Sequence, residues 1–151
     1  MNFEDFKNHT NGTYFALQPS GPSRIGIQNL CTQLGLKNPV DPMSFHCTVL
    51  YSRKPCPDIV HEDFDMPIWG EGYQYDLFEI KGEKTATVLL LRSIRLMELN
   101  KHLTDTHGAT SDFPMYTPHI TLSYEPTDFI QEHPVTFNIK FDSYVITPIK
   151  E

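Results

Sequence analysis

The chain has 151 residues and a formal net charge of −7 when its histidines are counted as neutral. Apolar residues make up 39% and charged residues 21%, the composition of a globular protein with one domain, expected here over residues 1–151. The acidic balance and the lack of a run of Lys or Arg exclude a general coat for DNA or RNA, but a small phosphorylated ligand can still bind in a local pocket.

The cysteines and the first residues bear on where the protein acts. The three cysteines, Cys31, Cys47 and Cys56, form no CxxC pair, which argues against a disulfide framework or a zinc finger and favours a reducing compartment. The first residues lack the basic and apolar regions of a signal peptide, and the longest apolar run, 88–91, is too short to span a membrane. We therefore expect a cytoplasmic protein without a membrane partner.

The first half predicts a strand, a helix and a second strand. Residues 13–17 are rich in β-branched and aromatic side chains and predict a strand. A helix is predicted over residues 22–34, with Gly35 at its carboxyl end, and residues 45–51 predict the second strand. Residues 52–67 contain three prolines, which are typical of an irregular connection. The buried face of the helix is marked by four apolar residues at helical spacing: Ile27, Leu30, Cys31 and Leu34.

The second half predicts a hairpin, a helix and further strands. The hairpin is expected to turn at residues 81–83. Ser93 is expected to cap a helix that ends at Gly108, a loop follows over residues 109–116, and a short helix is predicted within residues 125–133. The buried stripe of the longer helix comprises Leu96, Leu99 and Leu103. The predicted strands cover residues 75–80, 85–91, 117–124 and 135–146.

The two halves share an order and a spacing. Each runs strand, helix, glycine, loop and strand. Gly35 lies 11 residues before His46, and Gly108 lies 11 residues before His119. The agreement predicts an α+β fold built from two units related by pseudo-twofold symmetry. These units span about residues 13–51 and 84–124.

A short motif recurs at the end of each unit. It reads FHCT around His46 and PHIT around His119, so each copy is His-x-Thr in a predicted strand. Side chains alternate between the two faces of a strand, so His46 shares a face with Thr48, and His119 shares one with Thr121. With the apolar faces packed under helices, both pairs are expected to face a common cleft.

Two histidines and two threonines facing one cleft suit chemistry at phosphorus. Histidine titrates near neutrality, so one ring can take a proton while the other gives one. In-line displacement places the attacking and leaving oxygens on opposite sides of the phosphate, which a pseudo-twofold histidine pair matches. Each threonine hydroxyl can donate a hydrogen bond to a phosphoryl oxygen. This arrangement predicts a hydrolase that uses no metal ion and no cofactor.

The histidines and Cys47 also have simpler interpretations. A single His-x-Thr is more typical of a core or surface position, and it is the pair of copies that predicts a site. Metal binding by His46 and His119 stays open, although no HxxxH or HxxE companion supports it. Cys47 is expected in the core. His102 and His107 lie five residues apart and are expected to be solvent-exposed. The remaining histidines fall in polar, turn-like segments: His9, His61 and His133.

Aromatic side chains are the candidates for contact with bases. Tyr14 and the single tryptophan, Trp69, are the stronger candidates, because Tyr14 begins the strand beside His46 and Trp69 follows the irregular connection. Tyr51 and Tyr124 are strand aromatics, which are more typical of a core. Three cations are expected to be solvated rather than bound to phosphate: Arg24, Arg53 and Lys54.

At these residues the sequence resembles the two-histidine (2H) phosphoesterase superfamily, whose signature is a pair of His-x-Thr/Ser motifs on strands of a two-lobed fold. Over its whole length, including the early NGTYFALQPS segment and the placement of FHCT and PHIT, the chain resembles the phage anti-CBASS nuclease family. The resemblance implies antiparallel sheets with helices on their outer faces.

The resemblance also implies an activity and a set of residues. The family's members are metal-independent enzymes that cut 3′–5′ linkages in cyclic di- and trinucleotides, the second messengers of bacterial CBASS defence. Its catalytic histidines correspond to His46 and His119, its phosphate-binding hydroxyls to Thr48 and Thr121, and a base-contacting aromatic to Tyr14. Substrate contacts near the carboxyl end have two nearby candidates, Tyr144 and Glu151.

These implications lead to one expected mechanism and two alternatives. One histidine deprotonates the ribose 2′-OH, that oxygen attacks phosphorus, and the other histidine protonates the departing 5′-oxygen. The first alternative is a phosphodiesterase of RNA ends or 2′,3′-cyclic phosphates. The second is a binding protein that sequesters cyclic nucleotides without cleaving them. The base preference, the ring size of the substrate, the starting base, the oligomeric state and a lid over residues 52–73 stay open.

Overall fold

The computed structural model describes residues 11–80, 84–128 and 130–149. They contain a six-stranded antiparallel sheet and two α-helices, which confirms the predicted α+β class. The elements in chain order are β1 (Thr13–Pro19), α1 (Gly21–Leu34), β2 (Cys47–Ser52), β3 (Ile68–Ile80), β4 (Lys84–Arg92), α2 (Ile94–His107), β5 (His119–Ser123) and β6 (Phe137–Pro148). Single 3-10 turns lie at Pro42–Ser44, Pro57–His61 and Ile130–Glu132.

Both helices begin and end at the residues that cap them. The Ser20 hydroxyl accepts a hydrogen bond from the Ser23 amide at 3.3 Å, and the Ser93 hydroxyl accepts one from the Leu96 amide at 3.2 Å. Gly35 and Gly108 end the helices in the left-handed conformation, with φ of 63° and 66°. Only glycine adopts this conformation without steric cost, so these positions stop the helices where the sequence predicted.

The sheet is continuous rather than divided between two lobes, which corrects the expectation of separate sheets. The strand order is β2-β1-β6-β3-β4-β5, so β6 and β3 form the centre. One half of β6 pairs with β1, the other half pairs with β3, and Phe141 has a partner in both strands. The strand order is the same from either edge when β2 is matched with β5, β1 with β4 and β6 with β3, as pseudo-twofold symmetry requires.

Several predicted boundaries were wrong for identifiable reasons. β3 begins at Ile68 rather than at residue 75, because its first residues pair with β6, which is distant in the sequence. The short helix predicted within residues 125–133 is present as the single 3-10 turn Ile130–Glu132, and Pro126 and Pro134 bracket it. The predicted turn at 81–83 lies outside the described residues.

Opposite faces of the sheet have different roles. One face packs against both helices and forms the main core. Its largest fully buried members include Phe15, Leu17, Ile27, Leu89, Leu96, Leu103, Ile120, Leu122 and Phe141. The other face carries a small apolar cluster on β4, formed by Ala86, Val88 and Leu90 with Tyr73 and Phe78. The open face is therefore the one on which a ligand can lie.

The two edges of the sheet meet although they are five strands apart in order. The Tyr116 hydroxyl, just before β5, donates to the Thr48 carbonyl oxygen of β2 at 2.8 Å. From the segment before β2, the Val40 amide donates to the Leu122 carbonyl oxygen at 2.8 Å. The Ser123 hydroxyl donates to the Lys37 carbonyl oxygen at 2.6 Å. The sheet therefore curves until β2 and β5 face each other.

Among the described residues, no helix has the length and apolar character needed to cross a membrane.

Candidate active site

The two histidines occupy matching positions at the starts of the edge strands. His119 is the first residue of β5, and His46 directly precedes β2. The expectation that β2 includes residues 45 and 46 was wrong, because the Phe45 amide donates to the Pro42 carbonyl oxygen and closes a 3-10 turn there. The two histidines therefore lie at equivalent positions, at the amino-terminal ends of the two edge strands.

Both imidazoles are anchored in the same way. His46 Nδ1 lies 2.8 Å from the Ser44 carbonyl oxygen, and His119 Nδ1 lies 2.8 Å from the Thr117 carbonyl oxygen. A carbonyl oxygen only accepts, so Nδ1 carries the proton in each contact. In the neutral ring Nε2 then keeps its lone pair and can accept a proton from a substrate hydroxyl.

The threonines are held in register by matching irregularities of the sheet. A bulge between Phe15 and Ala16 brings Ala16 opposite Thr48. A second bulge, between Thr87 and Val88, brings Val88 opposite Thr121. Such bulges re-aim side chains near the ends of strands. Each threonine therefore lies on an edge strand, two residues after its histidine.

A cleft of about 820 Å³ opens between the edges on the uncovered face. This volume is within the range of small-molecule sites. Thr48, His119 and Thr121 line it, together with a floor of apolar β4 residues and the loop over residues 110–117. In that loop the side chains of Phe113 and Met115 are 74% and 72% exposed. The cleft thus combines the imidazole of His119 and two threonine hydroxyls with apolar surface that suits a base. His46 is not among its lining residues but lies close enough to His119 to lower its pKa.

Tyr14 joins the first motif. Its hydroxyl lies 3.1 Å from Thr48 Oγ1, and its ring makes an edge contact with the His46 ring at a centroid separation of 6.4 Å. Burial raises the pKa of the Tyr14 phenol, so the hydroxyl stays protonated at neutral pH. The structure therefore brings this predicted base-contacting residue together with His46 and Thr48.

His119 has a more apolar environment on the other side of the cleft. Its ring makes an edge contact with Phe78 at a centroid separation of 4.7 Å. Burial lowers the pKa of His119 because the charged ring loses water, and the neighbouring His46 lowers it further. The ring is therefore neutral at pH 7 and ready to accept a proton.

Two other predicted substrate residues, Tyr144 and Trp69, are not brought to this cleft. Tyr144 lies on the helix-covered face, stacked on Phe15 at 5.3 Å. Trp69 is 54% exposed on the open face, but it lies nine residues from Phe78 along β3, about 30 Å at the usual rise of a strand. Glu151 lies outside the described residues.

Three residues outside the histidine and threonine pairs can be compared with their expected environments. His107 is not solvent-exposed, because its side chain is only 11% accessible and hydrogen-bonds Glu62, as does His102. Arg53 forms a bidentate ion pair with Asp112 at 2.8 and 2.9 Å, although its side chain stays 71% exposed. Cys47 is fully buried, as predicted.

The sequence reasoning missed two residues that shape the site. Phe78 could have been found from the alternation of β3, which places it opposite Ala86 on the open face. Tyr116 has no such signal, because it lies in a loop and its partner, Thr48, is 68 residues away. Neither residue carries acid–base chemistry, but Phe78 contacts His119 and Tyr116 bonds the backbone of Thr48.

Comparison with known proteins agrees with this geometry. The sequence profile of the family described as "Anti-CBASS protein Acb1" matches residues 11–151. An anti-CBASS protein Acb1 of Vibrio phage KVP40 is 36% identical over 119 residues, which cover 76% of this chain and 73% of that protein. The protein of the same name from Enterobacteria phage T4 is 31% identical and covers 80% of this chain and 76% of its own.

Solved structures with the same fold extend the comparison. The protein TT0787 of Thermus thermophilus has a TM-score of 0.66 at 16% identity and covers 89% of this chain and 86% of its own. LigT of E. coli has a TM-score of 0.61 at 17% identity and covers 93% and 95%. At this identity the likeness concerns the fold alone, and the family is shown by the sequence matches. The chain belongs to the anti-CBASS protein Acb1 family.

Proposed function

We propose that His46 and His119 cleave the 3′–5′ phosphodiester bonds of cyclic di- and trinucleotides by acid–base catalysis without a metal ion. As a member of its family, the chain is a cyclic-oligonucleotide phosphodiesterase that counters CBASS. One observation carries the proposal: two imidazoles with the same Nδ1 anchor enter two edge strands that meet across one cleft. General acid–base groups placed in this way each contribute about 10²–10⁴-fold in rate.

The proposed reaction uses the ribose next to the scissile phosphate. His119, kept neutral by its lowered pKa, accepts the 2′-OH proton at Nε2. The 2′-oxygen attacks phosphorus, the bond from phosphorus to the 5′-oxygen breaks, and protonated His46 delivers a proton to that oxygen. The products end in a 2′,3′-cyclic phosphate and a 5′-hydroxyl. Water can then open the cyclic phosphate with the histidine roles exchanged.

Neighbouring side chains support this step in specific ways. The hydroxyls of Thr48 and Thr121 are proposed to donate to the non-bridging phosphate oxygens, where negative charge grows in the transition state. Tyr14 positions Thr48 through its hydroxyl and offers its ring to a base. Trp69 and Tyr144 are left out of the proposed contacts because they lie far along β3 and on the opposite face.

The proposed domain and setting follow from the same site. One histidine and one threonine come from each unit, about residues 13–51 and 84–124, so the units act as one catalytic domain over residues 1–151. The net charge of −7 disfavours long nucleic acids, whereas a small ligand needs only the cleft. Such an enzyme meets its substrate in the cytoplasm of the host bacterium.

The test is cleavage of 3′,3′-cyclic GMP-AMP in excess EDTA, with products identified by mass spectrometry. The wild type is expected to give linear products with a 2′,3′-cyclic phosphate. His46→Ala and His119→Ala are each expected to lower the rate at least about 10³-fold. The matched control is His133→Ala, which removes an exposed histidine away from the cleft and is expected to retain full activity.

Each contrary outcome identifies a different function. Efficient cleavage of the 2′-deoxy analogue would contradict attack by the 2′-oxygen. Intact cyclic dinucleotide together with turnover of 2′,3′-cyclic phosphates on RNA ends would establish the alternative phosphodiesterase. Tight binding without product, in the wild type and in His46→Ala alike, would establish a binding protein that sequesters its ligand.

A further inference from the structure

A second cluster of ionisable side chains lies apart from the cleft. Glu62 directly follows the turn Pro57–His61 and faces two histidines near the end of α2. Its Oε1 accepts a hydrogen bond from His102 Nε2 at 2.7 Å, and its Oε2 accepts one from His107 Nε2. The three ligand atoms all lie within 4.8 Å of one another. None of the three residues lines the catalytic cleft.

We propose that Glu62, His102 and His107 form a binding site for a divalent transition-metal ion, with Zn²⁺ as the best match. Two imidazole nitrogens and one carboxylate oxygen are a donor set that zinc accepts, and a water molecule completes a tetrahedron. Neighbouring ligands of a tetrahedral zinc lie about 3.3 Å apart, given bonds of about 2.0–2.1 Å. Since the three ligand atoms lie within 4.8 Å of one another, each pair needs to change its separation by no more than about 1.5 Å.

The surroundings of His102 are compatible with this exchange. Metal binding needs the Nε2 lone pair, so each ring must carry its proton on Nδ1 instead. His102 Nδ1 lies 3.2 Å from Thr106 Oγ1, which can accept that proton in a hydrogen bond. Such a contact behind a ligand fixes its tautomer and strengthens it as a donor.

The surroundings favour a cation. Next to His102 lies a cavity of about 310 Å³ that has room for the water ligand. Its border carries more negative than positive side chains, with one cation, Arg95, and four carboxylates: Glu62, Asp63, Asp65 and Glu98. The hydrogen bonds from His102 and His107 reach both oxygens of the Glu62 carboxylate, so the two rings already face this group.

A bound ion would act on structure rather than on the reaction. It would tie the turn after β2 to the end of α2, which leads through Gly108 into the loop over residues 110–117. The start of that loop is already fixed to β2, where the Thr110 amide donates to the Ser52 hydroxyl at 3.0 Å. The ion would therefore stabilise the wall of the cleft without touching substrate.

The test uses the full chain after removal of metals with a chelator. Zn²⁺ titration by calorimetry is expected to show one tight equivalent in the wild type, and it is expected to be lost in His102→Ala and His107→Ala. At a free Zn²⁺ concentration about 100-fold above the dissociation constant, Tm is expected to rise by about 5–10 °C. Co²⁺ is expected to give visible d–d bands that disappear in His107→Ala.

Two controls separate this site from the catalytic histidines. The double variant His46→Ala/His119→Ala is expected to keep the tight equivalent and the rise in Tm, and His133→Ala is expected to keep both. Loss of Zn²⁺ binding in the double variant, or unchanged binding in His102→Ala and His107→Ala, would overturn the proposal. So would a dissociation constant for Zn²⁺ too weak to raise Tm in the wild type. Cleavage of cyclic dinucleotide in EDTA is independent of every one of these outcomes.

Discussion

Tyr116 connects the two edges of the sheet, and removing its hydroxyl tests whether that connection aligns the histidines. The hydroxyl donates to the Thr48 carbonyl oxygen at 2.8 Å and lies 3.8 Å from Cys47 Sγ. Burial raises the pKa of this phenol, so the group is a hydrogen-bond donor at all pH values of interest. Tyr116→Phe deletes the donor and keeps the ring that packs against the core.

The expected magnitude follows from the half-buried position of the bond. A hydrogen bond contributes about 0.5–1.5 kcal/mol net, and a buried acceptor left without a partner costs about 1–3 kcal/mol. Because water can partly reach the half-exposed Thr48, we expect a loss of about 1.5 kcal/mol in the free energy of unfolding. For a chain of this size, that lowers Tm by about 3–6 °C. If the bond also holds the transition-state geometry, kcat/KM falls about tenfold.

Thermal unfolding and steady-state cleavage of 3′,3′-cyclic GMP-AMP measure the two effects separately. The matched control is Tyr73→Phe, since Tyr73 does not line the cleft and its ring lies under Arg92 at 4.5 Å. This control is expected to leave kcat/KM unchanged. If Tyr116→Phe matched the wild type in both Tm and kcat/KM, the link between β2 and β5 would have no role in aligning the site.

Two further predictions concern the chemistry of the cleft. Thr48→Val and Thr121→Val each remove a hydroxyl at nearly constant shape. Each is expected to lower kcat by about 10²–10³-fold with a change in Tm below about 2 °C. A rise in KM with kcat unchanged would assign the hydroxyls to ground-state binding. The rate should also depend on the neutral form of His119. Its lowered pKa places the acid limb of kcat/KM below pH 6.5, so activity persists as pH falls until the ring is protonated. An inflection at or above 6.5, with chemistry limiting, would contradict His119 as the starting base.

The sequence was sufficient wherever the determining interactions are local. Each helix begins at a serine hydroxyl and ends at a glycine, and each of these caps bonds a residue three or four positions away along the chain. The two His-x-Thr strands were predicted because their alternation and their spacing from Gly35 and Gly108 can be counted directly. Interactions of this kind require no knowledge of the rest of the fold.

What the sequence did not reveal depends on contacts between distant residues. The joining of two expected sheets into one depends on Phe141, whose two partners, Pro19 and Ile68, lie far from it in the sequence. The contact of His102 and His107 with Glu62 bridges 40 and 45 residues. Their spacing along the helix predicted two solvent-exposed histidines, because it takes no account of a carboxylate from another segment.

In the proposed reaction one histidine accepts a proton and the other donates one, and the near symmetry of the site places both rings alike. The differences between their surroundings favour one histidine for each role. The same carbonyl anchor orients both imidazoles, so neither backbone nor tautomer distinguishes them. Their neighbours do: His119 lies against the apolar ring of Phe78, whereas His46 lies beside the phenol of Tyr14. The apolar ring of Phe78 disfavours the charged form of His119 and so favours His119 as the base that starts neutral. The phenol of Tyr14, which bonds Thr48, leaves His46 near polar groups. In the proposed reaction, the paired strands supply the geometry of in-line displacement, and the burial of His119 beside Phe78 favours this ring as the starting base.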